Sequence, residues 1–246
     1  MPRLGTRKLY HLLREEFERE QLHIGRDALF RLLREEQLLL KRTRHYTKTT
    51  YSKHWMKKYP NLIKDLVPQH PEQIWVADIT YLPIREGYCY LHLITDAYSK
   101  QIMGYKVSEN LNTASTLQAL QMALQQRQYT TTLTHHSDRG LQYCSAAYIK
   151  LLTEHHCKIS MTQDGNPYDN AIAERINGIL KQEFGLEQNL HDLNEAQKLT
   201  DQAITLYNQS RPHLSCHYHT PHQMHQQQTI KLKSWRKKNL PNPCGI

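Results

Sequence analysis

Thr134-His135-His136-Ser137-Asp138-Arg139-Gly140 is the stretch on which the reading of this 246-residue chain turns. The residues from Thr131 to His135 are rich in β-branched side chains, the composition of a short buried strand. That strand runs into Ser-Asp-Arg-Gly, a turn with a carboxylate at its tip. Upstream, Ile74 to Leu82 reads as another strand and carries Asp78 in its interior. Downstream, Asp169-Asn170-Ala171-Ile172-Ala173-Glu174 opens a helix, with Asp169 or Asn170 as its cap. Two strands and a helix thus each offer one acid to a common point.

Working outward, Tyr88 to Thr95 and Ile102 to Val107 read as strands that form an antiparallel meander with the Asp78 strand. A helix capped by Asn112 or Thr113 runs to about Gln126. Further helices are expected from Ser145 to His155, from the Asp169 region to Phe184, and over 194–208, with a short strand at Cys157 to Met161. Three strands, a helix, then alternating strand and helix predict an α/β fold, a ribonuclease H-like mixed sheet flanked by helices. Two short amphipathic helices precede it, Thr6 (a candidate N-cap) to Arg19 and Arg26 to Glu36, joined tightly like a helix-turn-helix unit. The expected divisions are 1–40 (helical), 41–70 (basic linker), 71–210 (catalytic core) and 211–246 (extension with a basic tail).

Charge follows these divisions. Residues 1–68 carry 16 Lys/Arg against 8 Asp/Glu, residues 69–230 carry 11 against 15, and residues 231–246 carry five bases and no acid. An acidic centre between basic arms suits a metal-binding core flanked by polyanion-binding segments, though a basic solubilising surface would look similar. Lys41 to Lys58 holds seven bases interleaved with Tyr46, Tyr51 and Trp55. Arg26, Lys41, Arg42, Arg44, Lys48, Lys181 and Lys237 are the candidate DNA contacts. No apolar run approaches the ~18 residues that span a bilayer, no signal peptide opens the chain, and five scattered cysteines suit a reduced cytoplasm.

The acids have a chemistry in common. Mg²⁺ takes oxygen ligands and keeps several waters, so a few carboxylates with open positions suffice for phosphoryl transfer. Two such ions about 4 Å apart can activate the attacking hydroxyl and stabilise the leaving oxygen. On the helix from the Asp169 region to Phe184, Asn170, Glu174, Asn177 and Lys181 form one polar stripe, opposite Ile172, Ile176, Ile179 and Leu180. Lys181 therefore rises on the same side as Glu174, within reach of a phosphate. Taken singly, an Asp in a turn is commonly a turn residue and a Glu on a helix a solvated charge. Asp78 inside a strand is the acid with the weakest structural excuse. Asp96, ending the second strand, stays open as a rival ligand.

The combined motifs narrow the choice. Trp75-Val76-Ala77-Asp78-Ile79-Thr80-Tyr81, His136-Ser137-Asp138-Arg139-Gly140-Leu141-Gln142-Tyr143, Gly165-Asn166-Pro167-Tyr168-Asp169-Asn170-Ala171-Ile172-Ala173-Glu174, Lys181, and Tyr207-Asn208 with Arg211-Pro212-His213 together resemble bacterial insertion-sequence transposases of the D,D-35-E class, relatives of retroviral integrases. Thirty-five residues separate Asp138 from Glu174. More narrowly, the chain resembles the product of the second of two overlapping frames, whose first-frame partner supplies a helix-turn-helix and leucine zipper. Ala77 stands where that family often has Thr, and Thr162 where Ser is common; neither change removes a ligand. Met1 lies almost on top of the first helix, which points to a shortened start.

The resemblance implies a transposase that cuts the element's end and joins the freed 3′-hydroxyl to another phosphodiester. It implies Asp78, Asp138 and Glu174 as metal ligands, Lys181 beside them, and Mg²⁺ or Mn²⁺ as cofactor. It further implies DNA as substrate, a homo-oligomer on DNA, a first-frame partner or fusion, no membrane, and a bacterial cytoplasmic, nucleoid-associated setting. Two other readings stand beside this one: a catalytically idle, transposase-derived DNA-binding protein, and a ribonuclease on RNA–DNA hybrids that would lean on Asp96. Cys216 to His225 holds soft ligands, but its spacing matches no common zinc finger. His135, His136, His155 and His156 read as core or surface residues, and Gln223 to Gln228 as a polar linker.

Overall fold

The computed structural model describes residues 3–40, 55–64, 66–163 and 170–233. β1 (Ile74–Ile84) turns back into β2 (Gly87–Asp96), and β3 (Ile102–Ser108) completes an antiparallel meander. The Asn112 side chain then caps α3 (Thr113–Gln125) by accepting from the Ser115 amide at 2.9 Å. β4 (Thr134–Ser137), α4 (Leu141–Cys144), α5 (Ala146–Glu154) and β5 (Lys158–Met161) follow. α6 (Ala171–Glu183), α7 (Leu193–Ser210) and the short α8 (Pro221–His225) close the described chain. The sheet order is β3-β2-β1-β4-β5, with β4 parallel to both β1 and β5. This is the mixed, helix-flanked, ribonuclease H-like sheet that the element order predicts.

Alternation along the strands divides the interior in two. Leu82, Leu91, Leu93 and Val107 pack with Ile176, Ile179 and Leu180 of α6 and Ala203, Ile204 and Tyr207 of α7. Trp75, Ala77, Ile94 and Met103 pack on the other side with Leu120 and Ala123 of α3 and Tyr148 and Leu152 of α5. α3 lies so close to β3 that a Cβ on Gly104 would stand 2.1 Å from the Ala119 carbonyl oxygen. Only glycine lets the helix backbone come this near.

The late motif Tyr207-Asn208 with Arg211 is a fastener for the fold. The Asn208 side chain accepts from the Ile102 amide and donates to the Ile102 carbonyl, both at 3.0 Å, sealing the start of β3 against α7. Tyr207 donates its hydroxyl to the Lys100 carbonyl at 2.8 Å. Arg211, 1% exposed, grips Glu183 with two nitrogens at 2.7 and 2.8 Å, and Lys8 reaches the same carboxylate at 3.0 Å. Lys8 belongs to α1 (Thr6–Arg19), which with α2 (Arg26–Glu35) forms the N-terminal helical pair. The ion cluster at Glu183, with His11 stacked on Tyr218 at 4.5 Å, ties that pair to the core.

Three local expectations need correction. β4 starts at Thr134, not Thr131, because its partners begin there: Thr134 pairs with Ile74 on one side and Lys158 on the other. Composition marks β-branched residues but not where a partner strand begins. Gly5, not Thr6, occupies the cap position of α1. The supposed linker from Gln223 begins inside α8, where Thr220 forms a capping box with Gln223, Pro221 takes the first turn, and Met224 and His225 are fully buried.

Candidate active site

β1 outruns β4. The two strands pair only from Ile74 to Val76, so beyond Ala77 one edge of β1 is free of its neighbour. Asp78 is the second residue past the last pair. β4 ends at Ser137, and Asp138 follows immediately. Two adjacent parallel strands therefore deliver their acids to the same end of the sheet. The Asp138 turn is tightened by the Gly140 amide, which donates to Asp138 Oδ1 at 2.9 Å. A Cβ on Gly140 would lie 3.0 Å from that oxygen, a tight fit that would make the Asp138 carboxylate give way slightly.

α6 is pinned to β1 at two points on its polar stripe. Asn170, where the helix begins, donates from Nδ2 to the Ala77 carbonyl at 3.1 Å. Asn177 donates from Nδ2 to Asp78 Oδ2 at 2.7 Å. Glu174 lies between these anchors on the same stripe, in the first turn, with its side chain exposed. The helix N-terminus favours a negative charge there. Lys181 sits one turn beyond Asn177 with its Nζ 5.4 Å from the centroid of the Tyr81 ring. Burial pushes its amine pKa down, while the Asp78 charge pulls it up.

The electrostatics record this convergence. Burial first, then the neighbouring Asp138 charge and more weakly Glu174, push the Asp78 carboxyl up to about 7, against hydrogen bonds from the Ile79 amide and Asn177 that favour the anion. All the donors involved are oxygens, which suits a hard divalent cation and not a soft one. Among the described residues, no three His, Cys, Asp or Glu side chains stand close enough to cage an ion as they are. A cation would meet Asp78 within β1, Asp138 just past the end of β4 and Glu174 on the pinned helix. The residues fit such a group by donor chemistry, with the Asp78 burden as the observation that favours it.

The other candidates fall elsewhere. Asp96 is fully buried, three positions further along the ladder than Leu93, the partner of Asp78, and hence roughly 10 Å away. Its oxygens accept from the Glu72 amide, the Ser99 amide and the Ser99 hydroxyl, each at 2.7 Å. Glu72 in turn accepts from the Gln128 and Tyr129 amides at 2.9 Å, and His225 Nε2 lies 3.3 Å from it. This buried cluster fastens α8 to the start of β1. It engages His225, one of the soft ligands that had suggested zinc. His135 is a core residue, bonded through Nε2 to the Tyr148 hydroxyl at 3.0 Å and held neutral by burial with a pKa down to about 3. Arg26 flanks a groove lined also by Arg7, Phe30, Arg31 and Arg34, and is paired with Asp27 at 2.8 Å. Lys41, Arg42, Arg44, Lys48, Lys237 and the cap candidate Asp169 lie outside the described residues.

Sequence reasoning put Asn177 on the right stripe without a task. Its i, i+3 relation to Glu174 was the available signal, but an Asn side chain announces no partner. Among the tyrosines beside the acids, Tyr81 enters the sequence reading only as the end of a motif, and Tyr90 only within a strand. Tyr81 and Tyr90, paired across β1 and β2, line the same cleft as Asp78, Asp138, Leu111 and Leu141.

Asp78 and Asp138 line one cleft where β1 passes the end of β4, and the matches that follow make this a polynucleotidyl transferase-type enzyme. The integrase core domain family matches residues 68–167, and a second integrase core domain family matches 155–221. The chain is 37% identical over 85% of its length to an insertion element IS600 31 kDa protein of Shigella sonnei, covering 76% of that protein. It is 32% identical over 84% of its length to the transposase for insertion sequence IS629 of Shigella sonnei, covering 68% of it. The HTLV-2 integrase catalytic core domain, solved in complex with magnesium, shares the fold at a TM-score of 0.51 and 21% identity, over 63% of this chain and 97% of that one. A chain of the simian T-cell lymphotropic virus intasome aligns over 94% of this chain and 78% of its own, at a TM-score of 0.55 and 18% identity. The protein belongs to the bacterial insertion-sequence transposases of the DDE integrase family. No helix of the described residues is long and apolar enough to cross a membrane.

Proposed function

We propose that this transposase cuts its element's ends and joins them to target DNA in a metal-dependent reaction, with Asp78, Asp138 and Glu174 as the ligands of Mg²⁺ or Mn²⁺. The observation that carries the reading is the Asp78 carboxyl, raised to about 7 by burial and by the two other acids. A carboxylate so burdened is relieved by a cation. When bound, the metal supplies the charge that favours ionised water or 3′-hydroxyl as nucleophile and steadies the departing oxygen. The chain's own groups do the rest. Asn177 fixes the Asp78 carboxylate by its hydrogen bond, and the Gly140 amide fixes Asp138. Lys181, held over Tyr81 near the Asp78 charge, meets a phosphate oxygen of the substrate and orients it for in-line attack.

DNA is the substrate, gripped along its phosphates by the Arg-lined groove at Arg26 and by the basic segments around Lys41, Arg42, Arg44 and Lys48 and around Lys237. The helical pair, basic linker, core and basic extension keep the bounds given above. The integrase core solved with magnesium has trimeric and dimeric forms, and the intasome is an assembly; likewise this chain works as an oligomer on DNA, with a first-frame partner or fusion, in the bacterial cytoplasm. Donor cleavage and strand transfer on the element's terminal DNA, with Mg²⁺ or Mn²⁺, tests the reading. Wild type is active and Asp138→Asn is not. Equal products from the two proteins, or none from either when the first-frame partner is present, would sink it and leave the idle DNA-binding reading.

A further inference from the structure

β5 is the last strand of the sheet, yet its outer edge is not bare. The end of the basic linker, from Met56 to Ile63, runs along it. The Met161 amide donates outward to the Pro60 carbonyl at 3.2 Å, while the next amide, that of Thr162, donates to the Ser137 carbonyl at 3.0 Å. The Leu62 amide donates to the Ser160 hydroxyl at 2.8 Å and not to a backbone carbonyl. Pro60 offers a carbonyl without an amide, which suits a residue that closes a sheet edge.

The side chains of this segment reach both faces of the sheet. Met56 and Tyr59 pack on the cluster that holds Trp75 together with Tyr143 and Cys144 of α4, the helix after the Asp138 turn. Burial and the Asp138 charge push the Cys144 thiol up, and the Lys58 charge works against them, so Lys58 stands near that helix. Ile63 packs instead with Ile74, Val76 and the two residues before Glu174, Ile172 and Ala173. One clasp therefore braces the surroundings of Asp138 on one face and the first turn of α6 on the other.

Ser160 is where the clasp meets the strand of Asp138. It is fully buried, and it lies opposite His136 in the register of β4 and β5. Its hydroxyl, which accepts from the Leu62 amide, lies 2.8 Å from Nδ1 of His136. His136 is fully buried too, and stands two residues before Asp138. One oxygen thus joins the clasp, β5 and β4 just short of the place where the second acid leaves the sheet.

We propose that Ser160, acting through His136, is a positioning residue for Asp138. The bridge sets the end of β4, so that Asp138 stands toward Asp78 and Glu174 at a spacing that holds a divalent cation. This rests on the proposed metal site and names a residue that serves it from outside the cleft.

The test compares the full chain as wild type, Ser160→Ala and Tyr207→Phe. Each variant deletes one hydroxyl and leaves the packing around it in place, so both fold. The Tyr207 hydroxyl, bonded to the Lys100 carbonyl, belongs to the fastener on α7 and controls for lost stability alone. Melting temperature is followed against Mg²⁺ concentration without DNA, because a cation that binds the fold raises it. Ser160→Ala shifts the midpoint of that rise to about tenfold higher Mg²⁺, the low end of the range for removing a group behind a metal ligand. At limiting Mg²⁺ its strand-transfer kcat falls by a similar factor, KM for the element's terminal DNA stays within about twofold, and saturating Mg²⁺ restores most of kcat. Tyr207→Phe keeps the wild-type midpoint and kcat. An unshifted midpoint in Ser160→Ala, an equal shift in Tyr207→Phe, or a loss confined to KM overturns the inference. If wild type itself neither gains melting temperature from Mg²⁺ nor gives Mg²⁺-dependent product, the proposed metal site fails, and that result is seen before any substitution is made.

Discussion

Replacing Asp78 with Asn is expected to make the metal-free protein more stable while abolishing its chemistry. The carboxyl titrates near 3.8 in an unfolded chain and near 7 in the fold, chiefly through burial and the Asp138 charge. Between those values the native state holds a proton that the unfolded state has released, so stability falls as pH rises from about 4 to 7 and is level above. Three pK units correspond to about 4 kcal/mol. Water reaching the cleft reduces this to something on the order of 2 kcal/mol. For a domain of this size each kcal/mol moves the melting temperature by roughly 2–4 °C, so Asp78→Asn should melt about 4–8 °C above wild type at pH 8 in chelator. Any effect of the amide itself that does not depend on pH cancels when the gap is followed across pH. At pH 5 the gap should be less than half its value at pH 8. Millimolar Mg²⁺ should raise the wild-type melting temperature and close the gap without moving the variant. A gap that is missing at pH 8, or of equal size at pH 5, would show that Asp78 carries no such burden and would remove the main support for a cation there.

Asn177→Ala removes the 2.7 Å hydrogen bond to Asp78 and should cut strand transfer by about tenfold, with about 1 kcal/mol lost in stability and DNA affinity by gel shift unchanged. Glu183→Ala leaves Arg211 and Lys8 half-buried or buried without their shared carboxylate and should cost on the order of 3–5 kcal/mol in urea denaturation. Because Arg211 and Lys8 outweigh burial and hold the Glu183 carboxyl below its usual 4.5, that stability is present above about pH 4.5 and fades as the pH falls below it. Gly104→Ala drives a methyl into the Ala119 carbonyl and should destabilise by at least 1–3 kcal/mol, read as a lower melting temperature or insoluble protein. Asp96→Asn should lower stability through the Glu72–Ser99–His225 cluster, yet the folded fraction should keep its metal-dependent activity, unlike Glu174→Gln.

The order of elements was legible because each element is a local signal; of the acids, Asp78 alone stood out locally, and Asp138 and Glu174 were singled out by the combined motifs. Asn112 caps the helix that follows it, and Asp78 is an acid in an apolar strand with no local excuse. What stayed hidden depends on partners far away in the chain. Asp96 and Asp78 look alike in sequence, each an acid in a strand beside a meander turn. Their difference lies in what surrounds them: Asp96 meets two amides and a hydroxyl from Glu72 and Ser99, with His225 beside it, whereas Asp78 meets the Ile79 and Asn177 amides and two more acids. Burial raises both carboxyls, but at Asp96 His225 and the hydrogen bonds work against that rise, whereas at Asp78 two neighbouring acids add to it. The same contrast separates Glu183, satisfied by Arg211 and Lys8, from Glu174, exposed in the first turn of the same helix. A fold that sets Asp138 and Glu174 against a desolvated Asp78 leaves an electrostatic deficit at one place. That deficit, more than the spacing of the motif, is the physical reason to look for the chemistry between β1, β4 and α6.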